Sequence, residues 1–139
     1  MRRPISPHAT SVALAVVAAA AAVAAPASSQ AARNFTFTDA EFMRAADGMH
    51  AARAFVAEAL PPGLPMREAV ARMTRAGTAC DAASDGSGAV RCRYYITVRP
   101  EYGDLGEDVW TVRLTPGAGG VLQDATLRRS RVGLSDPSQ

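Results

Sequence analysis

Apolar positions follow three different spacings along the chain. Val12 to Ala25 is an uninterrupted run, almost all Ala and Val. From Phe37 to Met73 the apolar residues recur three or four apart, the signature of helices with one greasy face. From Val90 onward they recur at every second position, the signature of strands with one buried face.

The helical part divides in two. Thr38 is placed to cap a first helix, with Glu41 three residues on to complete a capping box. Phe37 and Phe42 have the spacing of a hydrophobic staple around that cap. Phe42, Ala46, Met49, Val56 and Leu60 make the expected apolar stripe, and Pro61-Pro62-Gly63 stops the helix. A second helix is expected from Pro65 to Ala76, with Met66, Ala69, Val70 and Met73 inward and Gly77 as its left-handed stop.

The alternating part predicts strands at 78–81, 90–99, 108–114 and 121–129, joined by turn-rich segments at 84–88 and 116–120. Val90, Cys92, Tyr94, Ile96 and Val98 share one face; Arg91, Arg93, Tyr95, Thr97 and Arg99 share the other. Trp110, Val112 and Leu114 continue the apolar face. Helices followed by hairpin-connected strands give an α+β class: two N-terminal helices packed on one face of a three- to four-stranded antiparallel sheet. The expected organisation is a leader at 1–27, a flexible lead-in at 28–37, one domain at 38–132 and a disordered tail at 133–139.

The leader reading rests on three features. Met1-Arg2-Arg3 is positive, the apolar run is too short for the roughly 20 residues that span a bilayer, and Ala25-Pro26-Ala27 offers small residues for cleavage. Ser29-Gln30-Ala31 is a second candidate cut, and an uncleaved anchor is the competing interpretation. The expected location is therefore periplasmic or secreted, with no transmembrane anchor once the leader is removed. In that oxidising setting Cys80 and Cys92 read as a disulfide, since each lies six residues from Gly86 and a hairpin turning there sets them opposite one another. Closing so short a loop stabilises by roughly 3 kcal/mol in the chain-entropy account.

Charge narrows the function classes. The chain of 139 residues carries a net +2, but Arg2 and Arg3 supply that excess and leave the remainder near neutral. Nucleic acid is thus not an expected partner. Every basic residue is Arg, so lysine nucleophiles and Schiff bases are out of reach. His50 is the one histidine after the leader, on a helix and without the partners a triad or a zinc site requires. Glu101, Asp104, Glu107 and Asp108 crowd one segment but lack the spacing of a calcium loop, and no cofactor or metal is expected.

The remaining candidate surface is the polar strand face. Arg91, Arg93, Tyr95 and Arg99 line it, and Arg113 joins if the next strand pairs alongside; Arg128, Arg129 and Arg131 add charge near the chain end. Guanidinium forks grip carboxylates and phosphates, yet the same alternation arises on any half-solvated sheet.

The stretch Leu60-Pro61-Pro62-Gly63-Leu64-Pro65-Met66-Arg67-Glu68-Ala69-Val70 resembles the lead into the second helix of BamE-like envelope proteins. The later Asp108-Val109-Trp110-Thr111-Val112-Arg113-Leu114 strand and the Gly119-Gly120 turn before Val121 suit the same two-helix, three-strand layout, which β-lactamase-inhibitor-like domains share. The resemblance covers roughly residues 60–128 and departs from the family in lacking a lipobox cysteine and in adding Cys80 and Cys92. It implies a periplasmic protein-binding module that is not an enzyme. With the arginine face as contact surface, the expected function is an exported, non-catalytic interaction module whose partner is another envelope protein or an anionic surface. A secreted inhibitor of a hydrolase, using the regions near Asp85 and Tyr102, is the alternative; a small hydrolase using Glu101 or Asp104 ranks below both.

Overall fold

In a computed structural model, residues 30–99 and 105–133 are described, so the leader, Glu101, Tyr102, Asp104 and the tail beyond Gly133 lie outside the described residues. Alternation from Ala79 onward becomes four strands: β1 (Ala79–Ala82), β2 (Val90–Val98), β3 (Gly106–Pro116) and β4 (Leu122–Gly133). They form one antiparallel meander in the order β1-β2-β3-β4. Four helices precede it: α1 (Gln30–Asn34), α2 (Phe37–Phe42), α3 (Ala45–Ala59) and α4 (Met66–Arg75). The class is α+β, with four helical segments where two were expected.

The extra segments come from the first predicted helix. Thr36, not Thr38, is the cap: its hydroxyl accepts from the Asp39 amide at 3.1 Å. The chain then turns at Met43 and Arg44, whose extended ψ values of 166° and 142° break the helix. Packing drives this break. Phe37 is fully buried, its amide donates to the Ala76 carbonyl at 3.0 Å, and its ring meets Trp110 at 5.7 Å. Drawing Phe37 into the core folds α2 back over α3, where a Cβ on Gly48 would sit 2.2 Å from the Ala40 carbonyl oxygen. Only glycine permits that approach. The staple expected of Phe42 is absent, since Phe42 is 77% exposed. Within residues 30–37, α1 is helical, Ala32 is buried, and Phe35 stacks on Phe55 at 4.6 Å.

α4 follows its prediction closely. Ala69 and Met73 are fully buried, Met66 and Val70 pack against them, and Gly77 ends the helix at φ +94°. Burying Met73 contributes roughly 1.5–3 kcal/mol. Thr78 then closes the helix end, with both its amide and its hydroxyl donating to the Met73 carbonyl at 3.2 and 2.8 Å.

The core lies between these helices and one sheet face. Trp110, Val112 and Leu114 on β3, Cys92 on β2 and Leu122 on β4 are buried there against Phe37, Phe55, Val56 and Met73. Cys80 and Cys92 are register partners joined by a disulfide, with their Cα atoms 4.0 Å apart. The turn between them is shaped by Asp85, whose carboxylate accepts from the Ser87 amide and hydroxyl. No helix among the described residues is long and apolar enough to cross a membrane.

Candidate functional site

Strand alternation puts each arginine of the sheet on one of two faces, and the two faces differ in chemistry. On the helix-covered face, β3 aligns Asp108 with Arg131 and Trp110 with Arg129 of β4. Arg131 grips Asp108 through two bonds of 2.6 and 2.7 Å, and Arg129 reaches the same carboxylate at 3.0 Å. Glu41 closes the cluster from α2: it accepts from Arg129 at 2.7 Å and from the Trp110 indole N–H at 2.5 Å. The Arg129 guanidinium also lies 4.8 Å over the Trp110 ring. Arg131 holds the Asp108 carboxyl down to about 2, against the opposing pull of burial, and Asp108 in turn raises Arg131.

These side chains form a clamp between α2 and the sheet. No buried side-chain polar atom among the described residues lacks a partner, so the cluster is satisfied as it stands. Its carboxylates sit 4% and 7% exposed and are locked by cations. Asp108 is moved away from, not toward, the range in which a carboxylic acid gives up a proton near neutral pH.

The helix-free face carries the predicted arginines. Across it, Arg91 pairs in register with Arg113, Arg93 with Thr111, and Tyr95 with Val109. β4 extends these rows, setting Arg128 beside Thr111 and Thr126 beside Arg113. Arg91, Arg93 and Arg113 are thereby brought together, with Arg128 as a fourth member. Arg99 is not: it follows the end of β2, several residues from the cluster.

Two of the four arginines are engaged locally. Arg93 binds Asp81 at 3.0 Å, and Arg113 binds Asp85 at 2.7 Å and Ser87 at 2.9 Å. Ser87, ahead of Arg113, holds the Asp85 carboxyl far below the ordinary carboxylate range. Both acids lie toward the β1 side, leaving Arg91 and Arg128 as the positive groups with no ion pair among the described residues. Beyond this basic half the face mixes apolar side chains with Thr97, Glu107 and Ser130. Tyr95, 62% exposed, and Ser130 flank Val109, and in the next row Val132, 50% exposed, lies beside Glu107.

The structure also rearranges the acidic segment. Glu107 and Asp108 point to opposite faces of β3, so they cannot share a cation. Among the described residues no group of three His, Cys, Asp or Glu side chains could hold a metal ion. His50 lies on the exposed side of α3.

Sequence reasoning missed the inner clamp. A signal existed for Asp108, which shares even parity with Trp110, Val112 and Leu114. None existed for Arg129 against Trp110, because that pairing depends on the β3–β4 register.

Comparison with models of known protein families, with curated proteins and with solved structures finds no match to this chain.

Proposed function

We propose that this chain is an exported, non-catalytic interaction module whose helix-free sheet face binds another envelope protein. Residues 1–27 act as its secretion signal, and the mature domain works in the periplasm or outside the cell. One observation carries the reading: a basic half built on Arg91 and Arg128 adjoins a half where Tyr95, Val109 and Val132 stand among Thr97, Glu107 and Ser130, and no described element packs over either. Apolar centres with arginine at their margins are the composition of protein interfaces. The disulfide supports export, because such bonds persist in oxidising compartments. The resemblance of residues 60–128 to BamE-like domains points the same way, toward protein binding.

Cross-linking in the native envelope tests this reading. A photoreactive residue in place of Thr111 is expected to trap one protein species, and the pair Arg91→Glu and Tyr95→Ala to abolish that product without changing the melting temperature. Persistence of the product in the double variant contradicts the face. N-terminal sequencing of the exported protein is expected to begin at residue 28, and an intact Met1 contradicts the signal.

A further inference from the structure

The sheet has a second exposed feature: part of one edge. β1 pairs only with Val90 to Arg93, so on that side Tyr94 to Val98 of β2 has no strand beside it among the described residues. The helix end causes this. Gly77, the next residue whose backbone would have to bond β2, is turned to φ +94° and donates its amide to the Thr74 carbonyl at 3.0 Å. β1 therefore cannot lengthen without breaking the end of α4.

The register identifies which backbone groups are free. A Cα separation of 4.0 Å marks Cys80–Cys92 as a narrow, non-hydrogen-bonded pair. Arg91 and Arg93 thus bond to β1, and by alternation Tyr95 and Thr97 point their N–H and C=O groups along the same, unoccupied edge. No backbone bond from another described segment reaches them.

Proteins usually blunt such edges with charge, proline or a bulge. The run Tyr94-Tyr95-Ile96-Thr97-Val98 contains none of these, and all five residues favour strands. The other edge contrasts with it. β4 carries Asp124 and Arg128, and its start is covered by the α3–α4 link through Gly63 to Leu122 and Leu122 to Leu64 bonds of 2.7 Å.

We infer that Tyr94–Val98 is a docking edge for an extended segment of a partner protein, which adds as a strand alongside β2 and in line with β1. Alternating free N–H and C=O groups recognise an extended backbone and nothing else. Charge selects the occupant. Arg99 flanks the edge with no acidic partner among the described residues, so the incoming segment carries an acid at the end that falls opposite it. A second copy of this chain is the poorer fit, because self-pairing centred on Ile96 sets Arg99 against Arg93. The inference rests on the proposed function only in assuming a protein partner.

Amide exchange by NMR on the disulfide-bonded protein, with and without a probe, tests it. The probe is a short threonine–valine peptide with glutamate at both ends; its control has lysine at both ends. In the free protein the Tyr95 and Thr97 amides are expected to exchange fast and those of Tyr94, Ile96 and Val98 slowly. The glutamate peptide is expected to protect Tyr95 and Thr97 and to bind about tenfold more tightly than the lysine peptide. Thr97→Pro removes an outward amide without touching the β3 ladder and is expected to weaken binding roughly tenfold. Thr97→Lys, which keeps every backbone bond, does the same by charging the edge. Arg128→Ala leaves peptide binding unchanged, which separates this edge from the face. Slow exchange at Tyr95 and Thr97 in the free protein overturns the inference. So does equal binding of the two peptides, or self-association abolished by the Thr97 variants.

Discussion

Arg128 and Arg129 are neighbours in the chain, yet they belong to different parts of the molecule. Arg129 lies under α2, over the Trp110 ring and between two carboxylates. Arg128 lies on the opposite side of the same strand, beside Thr111, in the zone where Arg91 is also free of ion pairs. The pleat alone makes this difference. It teaches that arginine content says little about function until the face is known. Inside, the guanidinium is a fastener whose removal leaves Glu41 without a cation and Asp108 with Arg131 alone; outside, it is a group available to something else.

The inner face should break most severely. Trp110→Ala removes the largest buried side chain and leaves Glu41 without its indole donor, and chemical unfolding should register a loss of about 4 kcal/mol. Replacing Cys80 and Cys92 together with Ala should cost about 3 kcal/mol and speed amide exchange in β1, which has just four residues to hold it. Gly48→Ala sets a methyl group against the Ala40 carbonyl and should cost about 2 kcal/mol, read as lower melting temperature with α2 protection lost first.

Acid sharpens the contrast in another way. Asp108 is depressed from the ordinary 3.8 to about 2, so its ion pairs stabilise the fold fully above about pH 4 and are lost as pH falls toward 2. Asp108→Asn should therefore cost about 2 kcal/mol at neutral pH and almost nothing near pH 2, with unfolding midpoints of variant and parent converging between.

Much of this architecture was legible in the chain. α4 carries an unambiguous stripe between a proline and a glycine, and β2 alternates without interruption, so their buried faces follow from sequence. The disulfide followed from the symmetric placement of two cysteines about Gly86. The break between α2 and α3 did not, because Thr36 and Thr38 offer the same capping chemistry and the choice is made by where Phe37 packs. Nor was the inner clamp legible. Leu127 and Arg129 occupy the same face of β4, so its pattern reads as imperfect until the partner strand and Glu41 are in place. The candidate site was half legible: parity named Arg91, Arg93, Tyr95 and Arg113, while the local acids that occupy Arg93 and Arg113 emerged from the β1 hairpin.

The most direct test of the two-face account is a paired urea-unfolding measurement on Arg128→Ala and Arg129→Ala at neutral pH. Arg129→Ala is expected to lose about 2–3 kcal/mol, because it leaves buried carboxylates short of a cation, and Arg128→Ala to stay within about 0.5 kcal/mol of the parent. Equal losses in the two variants, or a larger loss for Arg128→Ala, would contradict the account.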